Sequence, residues 1–377
     1  MPAYQGEGAI QFVMTQAPQI LKGAEDLTMR GRRYLRKMRE RGRIMLNANP
    51  DELYWDVEFR DPEVVTYIGG AILDFSDKDL FRQMKINSRG YAATDAMTEE
   101  DRLKNRGDAA ILQRYDRKIP TLIRGMEKVA CGELYIDGGA AGNSRRFEGL
   151  ETFLGDAGNT TAADVIAVPS DTYAGMSTVH ASEGGSWSAA LTTKPNATLA
   201  TDWPFGQGDA EYDYNSPKLV NYTSTNWGTG GTTFEDNCER AIRRLSLWCT
   251  HGNGEENRPS EILLSTDLYD QYLNHMAAKG RSIIPVAANT DFGMNAQGYE
   301  GINQEGWQIG FDYDTPAGKG YALNYNKMAL MILGSQLFTP RGPIFDMHTQ
   351  SYIFSVACYG NMRYWSPKFF GKLSAYA

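Results

Sequence analysis

Residues Asp51–Phe59 read D-E-L-Y-W-D-V-E-F, with Leu53, Trp55, Val57 and Phe59 alternating against Glu52, Tyr54, Asp56 and Glu58. A period of two puts one apolar and one polar face on an extended strand. A return run at Asp79–Asn87 sets Leu80, Met84 and Ile86 on one side and Phe81, Gln83 and Lys85 on the other. Asp61-Pro62 and Gly69-Gly70, between the two runs, are turn signals. The stretch reads as a two-stranded excursion, charged and too poor in apolar residues to bury a core alone. Such a segment needs another chain to lie on, which points to an assembling protein rather than a self-contained enzyme.

Upstream, residues 1–48 read as an arm with a basic segment. Between Arg30 and Arg43, eight Lys/Arg stand against the single acid Glu40. Arg32, Arg33, Arg36 and Lys37 are its candidate contacts for phosphate or an acidic partner surface, with Leu35 and Met38 giving a thin apolar edge.

Downstream, Thr98 followed by Glu99, Glu100 and Asp101 predicts a capped helix start. An apolar stripe through Ile111, Leu112, Tyr115, Ile119, Leu122, Ile123, Met126, Val129 and Ala130 predicts a long helix over about 98–134. Pro120 is expected to kink or divide it. Phe147–Leu150 and Phe153–Gly155 read as a short helix with a glycine stop. Residues 156–232 are rich in Gly, Ser, Thr, Asn and Tyr, with short strands and long loops. Thr232 and Glu235 stand in capping-box spacing ahead of a helix burying Cys238, Ala241, Ile242, Leu245, Trp248 and Cys249. A strand at Glu261–Leu264 leads to a helix capped by Ser265 or Asp267. Strands at Trp307–Phe311, Met328–Leu333 and Tyr352–Cys358 follow, and Gly318–Gly320 reads as a hairpin turn. The class is α+β.

Composition removes several functions. The 377 residues are 42% hydrophobic and 22% charged, with a net charge of −8 that argues against a general nucleic-acid binder. No run approaches the length of a transmembrane helix, and the first residues, M-P-A-Y-Q-G-E-G, are not expected to be a signal peptide. Cys131, Cys238, Cys249 and Cys358 form no C-x-x-C pair and read as buried reduced thiols. There is no P-loop and no G-x-S-x-G elbow, and the four histidines are scattered. The acidic cluster Asp74–Asp79 lacks the Gly and closing Glu of an EF-hand loop. No catalytic residue, metal site or cofactor is expected.

The order of basic arm, two-stranded loop, long helix and short G-L helix resembles the tailed-phage major capsid protein of the HK97-type fold. Asp137-Gly138 followed by Gly149-Leu150 resembles the family's "dG…GL" junction. Asn324 in Y-A-L-N, after D-Y-D-T-P-A-G, resembles its C-terminal hairpin and strand. The resemblance implies an N-terminal arm at 1–48, an E-loop reaching over a neighbouring subunit at 49–90, and a peripheral domain at 91–174 containing the spine helix. It further implies an axial domain at 175–330 and C-terminal strands at 331–377 returning to the peripheral domain. Tyr54, Trp55, Phe59 and Phe81 become inter-subunit anchors of the E-loop. The protein itself, in hexamers and pentamers, would be the main partner, with scaffolding, portal and decoration proteins and non-specific contact with packaged double-stranded DNA, and no membrane. The place implied is the virion, assembled in the host cytoplasm. Some members cross-link through Lys–Asn bonds, for which Lys78 and Lys85 are the lysines in the presumed E-loop.

Two rivals remain at this level, apart from a DNA-binding reading that would rest only on Arg30–Arg43. One is an encapsulin, a protein compartment of the same fold. The other is a glycan-binding β-rich protein using Trp187, Trp203, Tyr222 and Trp227.

Overall fold

The computed structural model describes residues 33–49, 53–58, 64, 66, 69, 75, 80–100, 108–155, 165–167, 169–178, 215–250, 258–278, 302–304 and 307–376. The first described elements are helix α1 (Arg33–Glu40) and strands β1 (Ile44–Met45), β2 (Tyr54–Glu58), β3 (Phe81–Lys85) and β4 (Arg89–Thr98). Helix α2 (Asp108–Glu133) is followed by the short strands β5 (Thr172–Tyr173) and β6 (Met176–Ser177). Then come β7 (Lys218–Asn221), α3 (Phe234–Thr250), β8 (Glu261–Leu264), α4 (Thr266–Ala278), β9 (Ile302–Gln304) and β10 (Trp307–Phe311). The chain ends with β11 (Gly320–Leu323), β12 (Met328–Ile332), β13 (Thr339–Asp346), β14 (Ser351–Tyr364) and β15 (Gly371–Ser374).

A six-stranded sheet, ordered β7-β15-β11-β8-β10-β9, divides two cores. Alternate residues of one strand serve different cores, as the pleat dictates. Ile262 and Leu264 of β8 pack with Trp248, Leu245 and Leu268 of α3 and α4, whereas Leu263 faces Tyr321, Leu323 and the aromatic residues beyond. With both faces covered, β7, β8 and β11 are buried at every position. Strands of that kind read as continuous apolar runs rather than alternations.

The second sheet joins β1, β12, β14, β13 and β4. Its longest ladder pairs β4 with β14 from Arg89↔Gly360 to Thr98↔Ser351. Thr98 is therefore the last residue of a strand, with helix following at once at Glu99 and Glu100, and the described long helix begins at Asp108. Helix α2 is written as one element through Pro120, undivided, with Ile119, Ile123 and Met126 buried. A proline ring leaves the carbonyl one turn back without its usual N–H donor, which costs the helix one bond without dividing it.

Three further expectations are corrected. The box that starts α3 is Thr233 with Asp236, one residue later than the Thr232/Glu235 spacing: Asp236 N donates to Thr233 Oγ1 at 3.3 Å, and Thr233 Oγ1 donates to Asp236 Oδ2 at 2.6 Å. The Gly318–Gly320 segment is no hairpin turn, because β10 and β11 lie on opposite sides of β8. Finally, 331–377 does not return as a unit. β13 and β14 lie in the five-stranded sheet, but β15 inserts between β7 and β11 in the other.

The four cysteines are free and buried. Burial pushes the thiols of Cys249 and Cys358 up to about 12, so both stay protonated.

Candidate assembly surfaces

The hairpin β2–β3 has two unlike faces. Its antiparallel register sets Trp55 across from Met84 on the inner face and Tyr54, Asp56 and Glu58 across from Lys85, Gln83 and Phe81 on the outer. Met84 and Trp55 are buried. The Trp55 indole donates to the Trp365 carbonyl at 3.1 Å, and the Arg363 guanidinium lies 4.8 Å from its ring centroid. Trp55, expected at a subunit interface, is thus an anchor inside its own chain, because the alternation turns it inward. Tyr54 and Phe81 face out, at 38% and 60% exposure, with the Lys85 ammonium 5.0 Å from the Tyr54 ring. Phe59 lies outside the described residues, as does Lys78. Between the strands, Val64 and Phe75 are 91% and 89% exposed.

A second apolar projection lies at the far end of the β13–β14 hairpin. Ile344, Phe345 and Met347 are exposed there, and Phe345 stacks on Tyr352 at 5.1 Å. Asp346 ties the turn by accepting from His348 N at 3.0 Å and Thr349 Oγ1 at 2.8 Å. Sequence reasoning missed this site. The available signal was P-I-F-D-M at 343–347, large apolar residues at a strand end directly before a turn.

Where β4 pairs with β14, one face of this sheet meets α2. Asp95 and Phe354 face α2, where Lys118 Nζ sits 3.0 Å from Asp95 Oδ2 and 5.5 Å from the Phe354 ring. The other face carries the pairs Gly90–Tyr359, Ala92–Ala357, Thr94–Ser355 and Ala96–Ile353. Gly90 is needed there, since a Cβ would come within 2.8 Å of the Tyr359 ring.

The basic segment folds differently from a free arm. In α1, Tyr34, Leu35 and Met38 are buried, and Tyr34 Oη donates to Met328 Sδ at 3.3 Å. Arg33 points inward: its Nε and Nη2 reach Glu261 Oε1 at 2.7 and 2.5 Å, and Tyr325 Oη donates to Glu261 Oε2 at 2.8 Å. Gly310 makes room for the guanidinium, which a Cβ would meet at 2.3 Å. Lys37 is only 5% exposed, and burial lowers its pKa against the pull of Glu261 and Glu40. Arg36 lies 3.4 Å from Glu40. Arg32 is outside the described residues. For Arg33 and Lys37 the expected outward electrostatic contact is corrected to an inward one, because the apolar edge that looked thin in sequence is what seats the helix.

Between the cores, the chain after α2 is fastened by two glycines at close approach. A Cβ on Gly149 would meet Glu133 O at 2.5 Å and Ile136 O at 2.6 Å, and one on Gly138 would meet Phe147 O at 2.6 Å. Leu150 N donates to Leu134 O at 2.9 Å. Beside this junction, Arg146 holds Glu133 at 2.5 Å, and Tyr91 Oη donates to Glu133 at 2.9 Å while accepting from Phe147 N at 2.7 Å. Burial raises the Glu148 carboxyl to about 7 despite Arg89 and Asn361, and raises Asp171 to about 6 despite the Gly155 amide. Among the described residues no group of three or more His, Cys, Asp or Glu is placed to hold a metal ion, and no helix is long and apolar enough to cross a membrane.

No protein-family model matches the sequence, and no curated protein does either. Solved structures do. The chain of a cyanophage A-1(L) capsid asymmetric unit aligns with a TM-score of 0.50 at 11% identity, over 88% of this chain and 90% of that one. This is the HK97-type capsid fold. The capsid of a native GTA particle aligns with a TM-score of 0.49 at 12% identity, over 89% of each chain. A SrpI encapsulin complex from Synechococcus elongatus PCC 7942 gives 0.43 at 10% identity, over 88% of this chain and 84% of that one. At 11% identity the likeness to the cyanophage chain shows fold alone.

Proposed function

We propose that the protein is the major capsid protein of a tailed phage, assembling into hexamers and pentamers of an icosahedral shell around packaged double-stranded DNA. The observation that carries the reading is likeness of fold along nearly the whole of both chains, 88% of this one and 90% of the cyanophage capsid chain. Its role is structural, with no catalytic step. Its place is the virion, with assembly in the host cytoplasm. Besides itself, its partners are a scaffolding protein, a portal and decoration proteins.

The exposed aromatic and aliphatic residues support this reading. Phe81, Tyr54, Phe75 and Val64 on the 49–90 loop and Ile344, Phe345 and Met347 on the β13–β14 hairpin are large apolar groups on separate projections. Subunits joined to several neighbours spread their cohesion over such modest contacts rather than one pocket. In this reading 91–174 with β4 and α2 is the peripheral domain, and the six-stranded sheet with α3 and α4 is the axial domain.

The test is negative-stain electron microscopy of the chain expressed alone and with its genomic neighbours, alongside a deletion of residues 60–80. Closed shells, tubes or capsomers are expected from the intact chain, and folded subunits that do not assemble from the deletion. A uniform monomer or small oligomer in every preparation overturns the reading, and shells from the deletion overturn the role of the loop.

A further inference from the structure

Strand β4 is a sheet edge. Its ten residues pair with β14 and with no other described strand. An antiparallel ladder alternates residues bonded to the partner strand with residues whose main-chain groups point away from it. Ala96 is of the second kind, because its N–H donates to Asp95 Oδ1 at 2.7 Å and its carbonyl accepts from Lys118 Nζ at 2.8 Å. The same alternation turns the N–H and C=O groups of Gly90, Ala92 and Thr94 outward, and among the described residues nothing bonds them there. All three residues are exposed. The opposite edge of the sheet, β13, is blunted by Pro340, Pro343 and a register shift between Arg341 and Ile344. Strand β4 has neither a proline nor a bulge.

Helix α2 walls one side of this edge. Since Lys118 reaches the outward carbonyl of Ala96, the face of α2 that carries Lys118 overhangs the open side of β4. Leu122, Gly125 and Val129 continue that face at spacings of three and four. Leu122 is half-buried, Gly125 and Val129 are exposed, and a Cβ on Gly125 would meet nothing within 4 Å. Edge and stripe together form a groove, with unpaired main-chain groups on its floor and an apolar wall open at Gly125. Along residues 118–133 the exposed charges, Arg124 and Lys128, are both positive, while Glu127 and Glu133 are buried. We propose that this groove binds an extended acidic peptide segment of another protein, which adds to the sheet as a strand beside β4. Main-chain bonds to Gly90, Ala92 and Thr94 supply affinity, and alternate apolar side chains entering at Gly125 supply selection. A second β4 laid antiparallel on the first does not fit, because it brings a second α2 to the same face. Neighbouring strands lie about 4.8 Å apart, whereas packed helices keep about 8–10 Å between their axes.

The probe is a fluorescein-labelled peptide of alternating Glu and Val, titrated by anisotropy with the purified full-length subunit. A Lys/Val peptide and a Glu/Val peptide methylated at every backbone nitrogen are titrated beside it. The wild type is expected to bind the first, and the other two about tenfold more weakly or worse. Ala92→Pro removes one outward N–H while sparing the bonds to β14, and is expected to abolish binding. Gly125→Phe fills the gap from an exposed helix position; it is expected to melt with the wild type and to lose about tenfold or more in affinity. Should the proline variant not fold, Gly125→Phe decides alone. Lys128→Glu is expected to narrow the preference for the acidic over the basic peptide. Absence of Glu/Val binding by the wild type, equal binding of the methylated peptide, undiminished binding by Gly125→Phe, or an unchanged preference in Lys128→Glu overturns the proposal. So does a wild-type dimer in sedimentation velocity that Gly125→Phe abolishes, which gives the groove to a second copy. Shells are scored separately, so that a shell-forming subunit without peptide affinity overturns this proposal and leaves the capsid reading standing.

Discussion

The junction after α2 and the hairpin β2–β3 handle the same kinds of residue in opposite ways. At the junction, Phe147, Leu150, Phe153 and Leu154 are all buried, and Gly138 and Gly149 bring backbone against backbone. Phe153 stacks edge-on with Tyr364 at 4.9 Å, Tyr173 at 5.4 Å and Phe370 at 5.6 Å. On the hairpin, only one face is seated, and Phe81 and Tyr54 are left facing out. An aromatic in the first setting is held by its own chain; in the second it has surface left for another. The contrast separates residues that hold the subunit together from residues free to hold subunits to each other.

The largest effect on the folded subunit is expected from Gly149→Val. Three backbone atoms lie within 2.7 Å of the position its Cβ would take, so the junction must open, at a cost on the order of 3 kcal/mol or more. Loss of soluble yield and of the cooperative thermal transition checks this, and a variant melting with the wild type would remove the junction from the argument. Phe153→Ala comes next, at about 3–5 kcal/mol by denaturant titration, since it empties the centre of a ring cluster.

A smaller effect concerns pH. The folded Glu148 carboxyl holds its proton up to about 7, against an ordinary value of 4.5, so its contribution to stability is complete below about pH 4.5 and is lost as pH rises through about 7. Arg89, Asn361, Tyr173 and Tyr364 are the groups that face it. Glu148→Gln is expected to raise Tm at pH 8 by roughly 2–4 °C and to flatten the fall between pH 5 and 8. An unchanged pH profile would assign the fall to another group, with Asp171 as the next to test. The smallest effect on the subunit belongs to Phe81→Ser and Ile344→Ser, each within about 0.5 kcal/mol of the wild type. Both are nonetheless expected to reduce shell yield under the microscope, and undiminished yield would show that these projections are not contacts.

What was readable in the sequence follows from which signals are local. The β2–β3 pair was legible because apolar and charged residues alternate in Leu53–Glu58, and β8 and β10 because their apolar runs are short and bounded. Strand β4 was not. Its Gly90, Ala92, Ala93, Thr94 and Ala96 are too small and too alike to show a period. The place of β11 was hidden because its partners β8 and β15 are far away in sequence, and no turn residue reports a non-local pairing. The inward turn of Trp55 was implied by its own alternation, yet being aromatic in a charged segment suggested an interface.

The position of β15 has a consequence for how the chain is made. Residues 371–374 lie between β7 and β11, parallel to the one and antiparallel to the other. The sheet that parts the two cores therefore lacks an inner strand until residues 371–374 have been made. A nascent chain on a crowded polysome, with many copies of itself alongside, has no finished wall to offer its neighbours. Closure of that wall thus waits on residues 371–374, however many copies stand alongside.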